Sequence, residues 1–68
     1  MQYSLGIDAG GTYTDTVILR DSDSRILDTG EAITTYPDLM VGIRGAIANL
    51  NPGYLSQVWL VSASATLS

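Results

Sequence analysis

The sequence predicts an α/β fold in the order β-β-β-α-β, with an antiparallel three-strand meander and a fourth strand parallel to the first. Three observations carry this. Residues 2–34 are rich in alternating and β-branched apolar positions broken by short polar turns. Residues 37–50 switch to an apolar period of three and four. Residues 57–62 (Gln-Val-Trp-Leu-Val-Ser) form a continuous apolar run. Short connections make neighbouring strands antiparallel, whereas a helical crossover lays the returning strand parallel and right-handed.

In the first strand Tyr3, Leu5 and Ile7 point one way and Gln2, Ser4 and Gly6 the other. Gly6 marks a place where another backbone or a ligand comes close. After the turn Asp8–Gly11, residues Thr12 to Leu19 are a strand, because β-branched side chains suit a pleated surface and resist a helix. Arg20 to Ser24 is a turn, since Asp and Ser side chains satisfy their own backbone in bends. Arg25 to Thr34 is a third, more polar strand interrupted by Gly30.

Pro37 is placed as the first helical residue, with Asp38 behind it in favour of the helix dipole. Leu39, Met40, Ile43, Ala46, Ile47 and Leu50 then form one apolar face, and Gly42 and Gly45 allow close approach to the sheet. Asn49-Leu50-Asn51-Pro52-Gly53 ends the helix, with Gly53 taking the turn. The run from Gln57 to Ser62 reads as a strand covered on both faces in a central parallel position, with Trp59 in the core and its N–H needing one partner. Ala63 to Ser68 is small and polar. A mixed sheet with one helix leaves one face and one edge uncovered. The chain is therefore expected to be the first part of a larger protein, without internal repeat or linker.

Composition narrows the function classes. Sixty-eight residues hold one domain, and 46% hydrophobic residues exclude a disordered tail. Without cysteine there is no disulfide and no thiolate metal site. The N-terminus has neither a basic region nor a long apolar run, so no signal peptide or membrane span is expected and a cytoplasmic protein is. Arg20, Arg25 and Arg44 are the only cations, against seven acidic residues and a net charge of −4. That disfavours a nucleic-acid surface. Histidine and lysine are both missing, which removes the commonest general base and the P-loop amine. Any phosphate must be met by backbone N–H, hydroxyls and a metal ion, and the chain alone is poorly equipped for catalysis.

The chemistry concentrates in Leu5 to Leu19. A carboxylate, Asp8, stands where the first strand stops; two glycines, Gly10 and Gly11, make the turn; hydroxyls, Thr12 and Thr14, stand where the second strand begins. Glycine lets the backbone turn tightly and lets its N–H groups reach a ligand with no Cβ in the way. The combination suits a phosphate chain carrying a metal ion. A Rossmann fingerprint and a P-loop run from glycines into a helix, but here they run into Thr-Tyr-Thr-Asp-Thr-Val-Ile, which opens a strand. Asp and Gly-Gly are also ordinary hairpin residues, so spacing alone leaves a plain turn equally open.

The stretch Gly6-Ile7-Asp8-Ala9-Gly10-Gly11-Thr12-Tyr13-Thr14-Asp15 closely resembles the opening of the hydantoinase/oxoprolinase family, which typically reads G-I-D-x-G-G-T-F-T-D. The Asp-x-Gly-Gly-Thr core is shared by sugar kinases and other members of the actin- and hexokinase-type ATPase superfamily; the added Thr14-Asp15 points to the hydantoinase/oxoprolinase branch. The tail Val61-Ser62-Ala63-Ser64-Ala65-Thr66-Leu67 is similar to that family's V-S-x-S-T-T-L, with Ala65 departing from it. The resemblance implies an RNase H-like partial lobe, the first of two that clasp ATP, in enzymes that open cyclic amides such as 5-oxoproline or hydantoins, or in related forms activate ketones for carboxylation. It assigns Asp8 to Mg2+, through water, and the backbone of Gly10 and Gly11 with the Thr12 hydroxyl to the phosphates; Thr14 joins that candidate set. The partners implied are a nucleotide, a small cyclic amide, and remaining domains or a second subunit.

Asp15 is either a group near the substrate or a cap of the hairpin. Tyr13 is packing or else lines the substrate side, and Asp21, Asp23 and Asp28 are solvated turn charges. Ser62 and Ser64 lie at the end of the parallel strand, where α/β ligand sites tend to lie, and are equally read as helix-capping groups. A sugar-type kinase using the same turn, or a non-catalytic isolated lobe, stands as the alternative. These residues alone are expected to bind Mg-ATP weakly or not at all, because the second lobe is missing.

Overall fold

A computed structural model describes residues 2–66. Leu67 of the family-like tail and Ser68 lie outside the described residues. The strands β1 (Tyr3–Gly10), β2 (Tyr13–Arg20) and β3 (Arg25–Ile33) form the antiparallel meander. β4 (Val58–Thr66) runs parallel beside β1, giving the sheet order β3-β2-β1-β4. This is the predicted architecture.

The crossover from β3 to β4 carries α1 (Leu39–Ala48) and a single turn of helix, α2 (Pro52–Leu55). α1 lies mainly over β3 and β2. The core forms beneath it from Leu5, Ile18 and Leu50, flanked by Tyr3, Ile47, Tyr54 and Val58. Small residues bring helix and sheet together, as predicted for Gly42 and Gly45. A Cβ at Gly42 would stand 2.7 Å from the Ile33 carbonyl oxygen, and one at Gly30 would stand 2.3 Å from that of Ala46. The Thr16 hydroxyl donates to that same Ala46 oxygen at 3.0 Å, pinning the helix to β2.

The helix boundaries differ from the expected ones for reasons of capping. Asp38 is extended (φ −96, ψ 100) and its carboxylate accepts from the Met40 N–H at 3.0 Å, so it is the N-cap and Pro37 precedes the helix. Met40 is 48% exposed, while Gly42 and Ala46 take the buried positions. After Leu50 the chain does not simply turn at Gly53. Asn51 caps α2, accepting from the Gly53 N–H at 2.8 Å, with Pro52 at the first turn where its missing donor is harmless.

β4 departs most. Predicted as a central strand ending at Ser62, it is an edge strand that runs on to Thr66, because pairing with β1 continues to Gly10. α1 packs mainly on β3 and β2, and Leu60 pairs with Ser4 on the face away from it, so Trp59, Leu60 and Val61 are each about half exposed or more, at 60%, 47% and 57%. Trp59 is not in the core; its indole N–H donates to the Asp21 carboxylate.

Candidate functional site

β1 and β2 are joined by Gly11 and Thr12 alone. The favoured two-residue hairpins need positive φ, yet no glycine among the described residues adopts it. The turn is shaped instead by close approach and by outside anchors. A Cβ on Gly10 would meet the Tyr13 carbonyl oxygen at 2.9 Å, so only glycine fits there. The connection between β3 and α1 holds the turn's carbonyls. The Gly10 oxygen accepts from the Thr34 hydroxyl at 2.7 Å, the Gly11 oxygen from the Tyr36 hydroxyl at 3.0 Å, and the Thr12 oxygen from the Thr34 N–H at 2.8 Å.

Asp8 is exposed, two residues before the turn and on the face of the sheet away from α1. Strand register sets its neighbours. Asp8 lies opposite Asp15 on β2 and opposite Ser64 on β4, and Asp15 lies opposite Glu31 on β3. A single row, Glu31–Asp15–Asp8–Ser64, therefore crosses the sheet. The Ser64 hydroxyl donates to the Asp8 carboxylate at 3.5 Å, a long contact. The row lies in an open groove of about 710 Å3 whose lining includes Val17, Ile26, Thr29 and Ser62.

Asp8, Gly10, Gly11 and Thr12 are thus gathered at one end of the β1–β2 hairpin, with Thr12 exposed. Thr14 is not with them. Its side chain faces α1, is 1% exposed, and shares a 2.9 Å hydrogen bond with the Thr34 hydroxyl. Asp15 lies in the groove beside Asp8, and Tyr13 is 49% exposed rather than packed. Glu31, Thr34 and Tyr36 join the site without having been expected there. Period-two counting from Gly30 could have put Glu31 on the open face; the reach of Thr34 and Tyr36 back to the turn leaves no sequence signal.

The turn acids are engaged as well as solvated. Asp21 accepts from the Ser4 hydroxyl at 2.5 Å and from Trp59, and these two bonds, Ser4 first, hold its carboxyl below the usual range. Asp23 is held down to about 2, chiefly by its hydrogen bonds from Arg20, the closer at 2.7 Å. Asp28 accepts from the Asn51 N–H at 2.7 Å and ties β3 to the start of α2.

Among the described residues no group of three or more His, Cys, Asp or Glu has the spacing to hold a metal ion, and no helix is long and apolar enough to cross a membrane. Asp8 offers an exposed carboxylate two residues before a turn with hydroxyl and amide groups, and Asp15 lies opposite it on β2. That donor set fits Mg2+, which takes one or two carboxylates and fills its remaining positions with water and phosphate oxygens.

Comparison with curated proteins and with solved structures returns no match. The family model for the hydantoinase/oxoprolinase N-terminal region matches residues 4–68, from Ser4 within β1 through the turn and the whole crossover. The chain belongs to the hydantoinase/oxoprolinase family, as its N-terminal region.

Proposed function

We propose that this region binds the phosphates of Mg-ATP for an ATP-dependent hydrolase of cyclic amides, the hydantoin or 5-oxoproline type of ring. The observation that carries the reading is the grouping of the exposed Asp8 carboxylate with the Gly10–Gly11–Thr12 turn in one hairpin. In a planar trans peptide the N–H points opposite to the carbonyl. The Gly11 N–H therefore faces away from Thr34, and the Thr12 N–H away from Tyr36, which hold the carbonyls of those peptides. Amides so oriented, with the Thr12 hydroxyl, are donors for phosphate oxygens.

When bound, Mg2+ supplies charge neutralisation on the phosphate oxygens. Asp8 would hold it, and the acidic row makes the same demand from the protein side. Like charges directly opposite on neighbouring strands repel, and a cation at Asp8 relieves both that repulsion and the repulsion between an acidic chain and a nucleotide. Thr14 acts on the far side of the sheet, through the turn rather than on the phosphate. With no histidine or lysine, the groups that attack the amide ring come from outside these residues.

The test is Asp8→Ala in the enzyme to which this region belongs, assayed for hydantoin- and 5-oxoproline-dependent ATP hydrolysis. Turnover is expected to fall by a factor of at least about 100, as befits removal of a metal-anchoring charge, with the circular dichroism spectrum and thermal midpoint unchanged. Undiminished turnover would remove Asp8 from the metal site. Turnover supported by a sugar and by neither amide would replace the hydrolase with a kinase.

A further inference from the structure

We propose that Thr34, with Tyr36 beside it, is a positioning residue for the phosphate turn, an inference that rests on the reading of that turn as the phosphate site. Thr34 is 6% exposed and lies between β3 and α1, remote in sequence from the glycines. It nevertheless holds both ends of the turn, donating its hydroxyl to the Gly10 oxygen and its N–H to the Thr12 oxygen. Tyr36 takes the carbonyl between them. Two residues on one segment thus fix three successive carbonyls.

Proton counting gives the chain a direction. A hydroxyl has one proton to donate. That of Thr34 goes to the Gly10 carbonyl, which can only accept, so in the 2.9 Å contact between the two threonines Thr14 is the donor. The result is a relay, Thr14 to Thr34 to the Gly10 oxygen, in which each bond polarises the next. Its first member is buried under α1 and its last is the peptide whose N–H belongs to Gly11.

The orientation matters because this peptide is the one most free to rotate. It joins two glycines, whose backbones populate both signs of φ about equally. If it flipped, a carbonyl oxygen would replace the Gly11 N–H and present partial negative charge to a phosphate. The Thr34 hydroxyl opposes that flip, and the Tyr36 hydroxyl does the same for the peptide between Gly11 and Thr12. The role expected of Thr14 from the sequence, contact with the phosphate, becomes support of the residue that orients the turn.

The test uses Thr34→Val, which keeps shape and removes the hydroxyl, Thr34→Ser, which restores it, and Tyr36→Phe, whose ring is at the surface. In the free protein, NMR order parameters of the Gly11 and Thr12 amides are expected to fall in Thr34→Val from about 0.85 to below about 0.6. The Ile18 and Ala46 amides should stay rigid, and Thr34→Ser should recover the order. In a titration of the enzyme to which this region belongs with millimolar Mg-ATP, followed by the shifts of the same two amides, Thr34→Val should bind roughly fivefold to tenfold more weakly than the unmodified enzyme, the loss of one good hydrogen bond. Thr34→Ser should bind within about twofold of it. Tyr36→Phe should weaken binding by a few-fold without touching the core, and it keeps the test open should Thr34→Val unfold. An ordered turn in Thr34→Val, or equal affinity in Thr34→Val and the unmodified protein while the latter responds to Mg-ATP, overturns the positioning role and leaves the phosphate reading standing. Gly11 and Thr12 amides that ignore Mg-ATP in the unmodified enzyme, with its remaining domains present, overturn the phosphate reading and the positioning role with it, whatever the order parameters show.

Discussion

The two faces of the sheet are cut from the same strands at alternate residues, and they are built on opposite rules. On the face under α1 every polar group has an internal use. Thr16 bonds the helix carbonyl of Ala46, Thr14 and Thr34 bond each other, and no buried side-chain nitrogen or oxygen among the described residues lacks a partner. On the other face Glu31, Asp15 and Asp8 stand side by side across three strands with hydrophobic Val17 and Ile26 nearby. Packing explains the first face completely. It explains nothing about the second, where like charges in register weaken the free sheet. Features that cost stability tend to be kept where a ligand uses them. The contrast therefore divides the chain into a face that makes the fold and a face that carries the proposed site.

The largest test of that division is a pair of truncations at neighbouring residues of β2. Ile18 is fully buried under α1, and Ile18→Ala should cost about 2–5 kcal/mol in urea unfolding. Val17 points to the open face, and Val17→Ala should cost under about 1 kcal/mol. Comparable losses would mean that the open face is a second core.

Glycine substitutions sharpen the same point. A Cβ at Gly30 meets the Ala46 carbonyl at 2.3 Å and the Thr16 hydroxyl at 2.7 Å, so Gly30→Ala must push the helix off the sheet, at about 1–3 kcal/mol. At Gly6 the nearest atom is the Val17 side chain at 3.1 Å, which can turn aside, and Gly6→Ala should be several times milder. Thermal midpoints of the two variants order them. A reversed order would put the tight packing on the wrong face.

How much of this was legible in the sequence divides the same way. Alternation and the helical period gave the meander, the crossover and the parallel β4, because these depend on nearest neighbours along the chain. The position of β4 did not follow. An apolar run such as Val58–Val61 reads the same whether α1 covers it or stops short, and the helix stops short because Gly30, Gly42 and Ala46 seat it over β3 and β2. At the site, Asp8, Gly10, Gly11 and Thr12 were legible because they are contiguous. Thr34 and Tyr36 were not, since their reach depends on where a distant segment returns. The side of the sheet on which Thr14 falls was available from alternation alone: in β2 the residues paired across from Leu5, Ile7 and Ala9 share their face.

The acidic row offers a test of opposite sign. Asp15→Asn removes the middle charge between Asp8 and Glu31 and should stabilise the free protein by about 0.2–1 kcal/mol at low salt. The gain should shrink as salt screens the remaining charges. On the covered face the matching change, Thr16→Val, removes the bond to Ala46 and should destabilise instead. A loss of stability in Asp15→Asn would assign the row to the fold.

The smallest effect isolates one carboxylate at the rim between the two faces. Trp59 is the one tryptophan of the chain, and its indole N–H is bonded to Asp21, whose other oxygen takes the Ser4 hydroxyl. Both bonds favour the ionised carboxylate, so its folded pKa lies below the unfolded value. The linkage sign follows. The contribution of Asp21 is complete above the unfolded value and disappears as pH falls through the folded one. Trp59 emission should therefore titrate in acid with a midpoint below that of an ordinary aspartate, before the far-ultraviolet circular dichroism changes. Asp21→Asn should abolish the step, because an amide does not titrate there. Asp23, held down to about 2 by Arg20, loses its own contribution between the ordinary aspartate range and that value, but it does not touch the indole. Asp23→Asn should accordingly leave the Trp59 titration in place. A midpoint at the ordinary value, or a step that survives Asp21→Asn, would show that the indole is free of the turn and that β4 is held to the sheet by its pairing with β1 alone.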